Sequence, residues 1–194
     1  MTIGLLLMAA GHSQRFKRTS NGIHKLLYSC DASDMAMLNI TYQKAREIFL
    51  PEHICIVTNQ AEPQVHALAS QLGSPTMQIQ SNGLGESIAQ AISNNQNWDA
   101  LLILHGDLPF IQSSTIQTVY EAIQHHAIVR PSYHGQFGHP VGFQKSLYPQ
   151  LMALKDDQGA NQILKHYPTT TLPIDDQGSI QDIDHPNDLR KYSP

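Results

Sequence analysis

The chain has 194 residues, 41% of them hydrophobic and 14% charged, which is the balance of a folded globular protein and excludes a disordered or low-complexity one. Its net charge of −4 argues against general nucleic-acid binding, its two cysteines are too few for a disulfide framework, and no apolar stretch approaches the roughly 20 residues a membrane-spanning helix needs. Charge is unevenly placed: residues 1–30 hold Arg15, Lys17, Arg18 and Lys25, four of the 12 Lys and Arg residues, and none of the 16 acids. A +4 end on a chain that is otherwise −8 points to a local anion site.

Taken in chain order, Thr2 to Ala10 reads as a buried strand. No basic residue precedes this apolar run, so it is expected not to be a secretory leader, and a cytoplasmic location is the default. Ser33 to Leu50 carries Met37, Ile40, Ala45, Ile48 and Phe49 at helical spacing, with Lys44 the polar exception. Ile54 to Thr58 is a β-branched strand, and Pro63 to Leu72 a short helix with proline in its first turn. Thr76 to Gln80 predicts a strand, Gly85 to Asn94 a helix after a glycine turn, and Ala100 to Leu104 a buried strand. Ser113 to His125 predicts a helix capped by Ser113 or Ser114. Ala127 to Pro131, Val141 to Gln144 and Thr170 to Ile174 are later strand candidates. Helices are expected around Ser146 to Leu154, Gly159 to His166 and Pro186 to Tyr192. Strands alternate with helices through the first two-thirds, so the expected architecture is an α/β domain over 1–194: a three-layer, Rossmann-like fold with a mostly parallel central sheet. Ligands on such sheets bind at the carboxyl ends of the strands.

Four stretches lie where that rule directs attention. Ala9, Ala10 and Gly11 end the first strand. Small residues there let the backbone approach a ligand, and successive N–H groups can cradle an anion, with Arg15 and Lys25 adding charge. The plainer reading is a tight turn before a solvated basic loop. Neither GxxxxGK[ST] nor GxGxxG is present. In SNGLGESIAQAI, Gly83, Leu84 and Gly85 precede a helix, with Ser87 in its first turn. Backbone at such a turn can hydrogen-bond the edge of a flat base, and the plainer reading is a capped helix. In ALLILHGDLPFI, an apolar strand ends at Asp107. One carboxylate there suits Mg²⁺, which binds one or two carboxylates plus substrate phosphates, while the plainer reading is a turn cap before Pro109. In IQDIDHPNDL, Asp182 and Asp184 share a face in extended backbone, and either could be a second metal ligand, while the plainer reading is helix capping before Pro186 by Asp184 or His185. Eleven histidines raise a zinc hypothesis, but no HExxH or Cys/His spacing supports it.

Together these stretches resemble the MobA-like nucleotidyltransferase superfamily, which activates small phosphorylated molecules with nucleoside triphosphates. Its opening pattern LAAGxSxRMGxxK is similar to MAAGHSQRF, the insertion Lys17 to Asn21, then GIHK, so Ser13 falls in the motif with Arg15 and Lys25. Its GLGxSL, GDxP, GxxGHPVxF, GDxGAR and DIDTPxDL elements resemble Gly83 to Ile88, Gly106 to Pro109, Gly135 to Phe143, Asp156 to Asn161 and Asp182 to Leu189. Asn161 stands where that pattern has arginine, and His185 where it has threonine. Within the superfamily the chain looks most like molybdenum cofactor cytidylyltransferases, since the guanylyltransferases more often have Ala-Gly-Gly first. The resemblance implies CMP transfer from CTP to a phosphorylated acceptor such as molybdopterin, with release of pyrophosphate. Asp107 would hold Mg²⁺ with Asp184 or Asp182. Arg15 and Lys25 would steady the triphosphate. Ala9, Ala10, Gly11, Ser13, Gly83, Leu84, Gly85 and Ser87 would bind nucleotide, and Gly138, His139, Pro140, Gly142 and Gly159 the acceptor. A molybdoenzyme or its chaperone would be the protein partner, with no nucleic-acid or membrane partner. A GTP-using guanylyltransferase, a sugar-phosphate or other nucleotidyltransferase of this fold, and a non-catalytic nucleotide-binding protein are the competing readings.

Overall fold

A computed structural model of the chain describes residues 1–30 and 34–189. Strand β1 (Ile3–Ala9) is buried along its whole length, as are β2 (Ile54–Asn59) and the first five residues of β4 (Ala100–His105). Runs of Leu, Ile and Val with no polar alternation suit strands covered on both faces, and these three lie side by side and parallel at the sheet centre. With β3 (Thr76–Ile79), β5 (Ile128–Tyr133), β6 (Gln136–Phe137), β7 (Val141–Gln144) and β8 (Thr170–Pro173) they form one sheet, ordered β3-β2-β1-β4-β7-β5-β6, with β8 pairing β5. Six strands run one way; β7 and β6 run against them.

Helices cover both faces. On one face α2 (Met37–Arg46), α3 (Pro63–Ser70) and α5 (Ser113–Ala122) pack Leu38, Tyr42, Val65, Ala69, Ile116 and Val119 against Leu5, Leu7, Ile56 and Leu102. On the other, α4 (Leu84–Ser93), α6 (Tyr148–Met152) and α7 (Asn161–His166) bring Ile88, Ile92, Leu151 and Ile163 onto Leu6, Met8, Val57 and Ile103. Alternate residues of one strand thus feed two separate cores, as the period of two requires. A third, smaller cluster joins Phe16 of α1 (Gln14–Thr19) to Met37, Ile183 and Leu189, the last on α8 (Pro186–Leu189). The C-terminal segment is thereby held beside the first turn of the chain.

The expected elements are present with shifted ends, and three differences have physical causes. First, Ser113 and Ser114 do not cap α5. Gln112 is the cap residue, and the buried Asp176 carboxylate accepts from Gln112 N at 2.9 Å and Thr115 Oγ1 at 2.6 Å, so the cap comes from 61 residues away or more. Second, the segment read as an insertion is largely helical: α1 covers Gln14–Thr19, and the chain then reverses through Asn21 and Gly22 at φ of 53° and 83°. Third, the stretch from Ser146 is a 3₁₀ turn, Lys145–Leu147, running into the short α6. Ser33, where the second expected helix begins, and Arg190 to Tyr192, where the last ends, lie outside the described residues.

Candidate active site

Strand β1 lies between β2 and β4, so the loops leaving β1 and β4 diverge at the carboxyl edge of the sheet. The cleft they leave, about 560 Å³, is lined by the β1 turn, the Gly83 turn and the segments carrying Asp107, Asp182 and Asp184. Nine of the ten residues expected at the nucleotide, Arg15 and Lys25 among them, line it; the tenth, Gly85, follows Leu84 in α4.

At the heart of the cleft is a charged cluster. Lys25 Nζ pairs with Asp107 Oδ2 and lies 3.7 Å from Asp184 Oδ1. Arg15 Nη1 donates to Asp184 Oδ2 at 2.8 Å. Asp182 lines the same cleft, and its field reaches Lys25. Burial pushes Lys25 down, but Asp107, Asp184 and Asp182 more than offset it and hold the ammonium above the ordinary lysine range. Burial likewise pushes Asp107 up, and the charges of Lys25 and His105 outweigh it, keeping the carboxylate ionised. Asp107 Oδ1 is buried with no hydrogen-bond partner.

The long segment between Arg15 and Lys25 keeps both in the site because two contacts pin it. Ser13 Oγ accepts from Lys25 N at 2.9 Å, and Ser13 itself has φ of 55°. His24 Nδ1 accepts from Leu26 N, so its Nε2 carries the proton and donates to Gly11 O at 2.9 Å. Burial holds His24 below its usual value, which keeps that neutral form. Lys17 is turned away. Its ammonium binds both carboxylate oxygens of Glu62 at 2.6 and 2.8 Å, with His12 3.7 Å from the same carboxylate.

The Gly83 turn is built differently from a free backbone edge. Gly85 N donates to Asp156 O at 2.8 Å and Leu84 N to Asp157 Oδ1 at 3.2 Å. These donors, expected from the sequence to face a base, are instead taken up by the 155–158 segment. A Cβ on Gly83 would stand 2.2 Å from Asp156 O, so only glycine permits this approach. Ser87 points inward, to Ser81 Oγ at 2.7 Å and Gly83 O at 2.9 Å. Asn59 Nδ2 ties the two halves of the cleft by donating to Ala10 O and Ser81 O.

The residues expected at the acceptor do not stay together. His139 and Gly159 line a second cavity of about 130 Å³, which shares Leu84 and His105 with the main cleft. Gly138 packs on Ser179, and Gly142 faces Ile123 just after α5, and neither lines either cavity. Pro140 is buried beside them. The His139 ring lies 4.3 Å from that of His105, and burial, with His105 adding, pushes it down to about 3. Sequence reasoning singled out neither Arg130, Asp157, Asn59 nor Glu62. The lone cation in IVRPSY was the one available signal among them.

The model of the MobA-like NTP transferase domain matches residues 5–171. Purine catabolism protein PucB of Bacillus subtilis is 24% identical, the match covering 96% of this chain and 93% of PucB. The crystal structure of Rv0371c from Mycobacterium tuberculosis superposes with a TM-score of 0.84 at 21% identity, covering 98% of this chain and 96% of that one. Its manganese complex superposes at 0.79, with 20% identity and coverage of 98% and 97%. A nucleotidyl transferase from Methanothermobacter thermautotroptrophicus gives 0.82 at 17% identity, over 98% and 95%.

Proposed function

The chain belongs to the MobA-like NTP transferase family and is a nucleotidyltransferase, and from that premise we propose that it moves CMP from CTP to a phosphorylated acceptor of the molybdopterin type. The observation that carries the reading is the cluster at the end of β4, where Lys25 sits between Asp107 and Asp184 with Arg15 beside them. Two cations and two carboxylates at a strand end suit a polyphosphate and its counter-ion. The Ala9-Ala10-Gly11 turn, in place of the Ala-Gly-Gly more frequent among guanylyltransferases, supports CTP as the donor.

Asp107 and Asp184 would hold the divalent ion. The orphaned, buried Oδ1 of Asp107 is the atom that fits it, and Mg²⁺ asks for no more than one or two carboxylates. When bound, the ion neutralises charge on the phosphate oxygens. The manganese complex of Rv0371c supports a divalent ion in this fold. The remaining work falls to the chain. The β1 turn positions the triphosphate, Arg15 and Lys25 offset the charge that builds on it, and the acceptor phosphate attacks the α-phosphorus in line while pyrophosphate leaves. An ionised phosphate needs no strong general base, so positioning and charge dominate the catalysis. A cytidylated product calls for a molybdoenzyme or its chaperone to receive it.

The test is calorimetry of CTP, GTP, ATP and UTP with Mg²⁺ on the wild type and on Asp107→Ala. Tight CTP binding that is lost in the variant supports the reading. Preference for GTP keeps the site and changes the product to a guanylylated one. Nucleotide binding without pyrophosphate release on any phosphorylated acceptor would make this a binding protein.

A further inference from the structure

We propose that the smaller cavity beside the main cleft seats an oxyanionic group of the acceptor, a phosphate monoester or a carboxylate, and that Arg130 is the residue that binds it. The word acceptor rests on the nucleotidyl-transfer reading; the anion site itself does not. The cavity lies on the sheet face that carries α4 and α7, between Ile103, Val141 and Arg130 on the strands and Leu164 on the helix. It adjoins the main cleft through His105, so a ligand spanning both would have one end at the charged cluster and the other here.

The charge balance of this cavity is one-sided. No Asp or Glu lines it. Among the described residues Arg130 has no carboxylate within ion-pair distance, and its Nε is buried with no hydrogen-bond partner. His139 is held neutral by burial and supplies no competing cation. A half-buried guanidinium with an unsatisfied donor is unusual, because Arg donors taken out of water are generally paired. It is also held in place. The guanidinium carbon lies 3.8 Å from the centroid of the Phe137 ring on β6, a stacking contact that fixes the plane of the fork. A stacked guanidinium keeps its N–H edge available, and that edge matches two oxygens of a phosphate or carboxylate. The apolar walls would exclude water and strengthen the pair.

The test uses the full chain saturated with Mg²⁺ and CTP, so that the main cleft is filled. The Arg130 Nε–H resonance, assigned by its loss in Arg130→Gln, is followed by NMR during titration with methyl phosphate and separately with acetate. A saturable shift with methyl phosphate identifies a phosphate site, and one with acetate alone a carboxylate site. Binding measured by calorimetry should weaken tenfold or more in Arg130→Gln and partly recover in Arg130→Lys. An Arg130 signal unmoved by both anions, or equal affinity in Arg130→Gln, overturns the proposal. The resonance is read on the wild type, so a poorly folding variant does not block the answer. Failure of CTP to bind, with Arg130 still responding, would overturn the transferase reading and leave the anion site standing.

Discussion

Lys25 and Asp107 form an ion pair at the carboxyl end of β4, 82 residues apart in sequence and joined by the 3₁₀ turn Lys25–Leu27 on one side and the strand on the other. Both side chains are mostly buried, at 16% and 12% exposure. Removing Lys25 strips the buried Asp107 carboxylate of its ion-pair partner, whereas removing Asp107 leaves Lys25 with Asp184 at 3.7 Å.

Asp107→Ala is expected to lower kcat/KM for nucleotidyl transfer by about 10²-fold or more, on the order of 3 kcal/mol, because it removes the carboxylate that would hold the divalent ion. Steady-state pyrophosphate release checks this. A folded variant with near wild-type turnover would remove Asp107 from the chemistry.

Lys25→Ala and Lys17→Ala separate the two lysines that flank the long first turn. Lys25 faces the cleft, while Lys17 is held by Glu62. Lys25→Ala should cost about tenfold or more in kcat/KM, since a charge-assisted contact contributes roughly 1.5–3 kcal/mol. Lys17→Ala should leave kcat within about twofold and lower thermal stability slightly. The reverse ranking would mean the turn rearranges when nucleotide binds.

Stability against pH follows from the same groups, in metal-free buffer. Asp107 has a lowered folded pKa, so its contribution is complete above the unfolded value near 3.9 and is lost as pH falls through the folded one. Lys25 has a raised pKa, so its contribution is complete below about 10.4 and is lost as pH rises through the folded value. His139, pushed down to about 3, resists protonation when folded, so stability falls as pH drops from about 6.5 toward 3. Urea unfolding should show His139→Gln flattening the slope between pH 6 and 4, where the wild type loses up to a few kcal/mol. An unchanged slope would show that His139 is not buried as a neutral ring.

Much of this was legible because strand ends are legible. ALLILHGDLP announces a buried strand and a carboxylate at its end, and the ordered motifs then place Asp107, Lys25 and Asp184 in one cleft. What sequence spacing does not carry is pairing across distance. Nothing local links Arg15 to Asp184, Lys17 to Glu62, or Asp176 to the start of α5, since each bond depends on how loops close over the sheet edge. The β5–β6 hairpin was within reach: His134 and Gly135 both have positive φ, the turn chemistry that HG between strand residues signals. Asn161 looked like a lost charge. It opens α7 and lines the same cavity as Arg130 of β5, a proximity visible only in three dimensions.

The 155–158 loop closes on the Gly83 turn. The amides of Leu84 and Gly85 open α4, and helix N-termini leave such donors unsatisfied unless something outside the helix accepts from them. Here Asp157 Oδ1 and Asp156 O do so. The 155–158 segment precedes α7, which walls the smaller cavity, while the Gly83 turn lines the main cleft. The two cavities are thus joined by these hydrogen bonds. Asp157→Ala deletes one acceptor and should speed amide exchange at Leu84 about fivefold, corresponding to ~1 kcal/mol. Gly83→Ala is harsher, because its methyl would meet the Asp156 carbonyl at 2.2 Å and force the segment away. It should expose the Leu84 and Gly85 amides together and raise KM for acceptor and nucleotide alike, where a defect confined to one site would raise only one. Hydrogen exchange and the paired KM values on the same preparations decide it. Unaltered protection at Leu84 and Gly85 in Gly83→Ala would show that the closed loop is not what holds the turn.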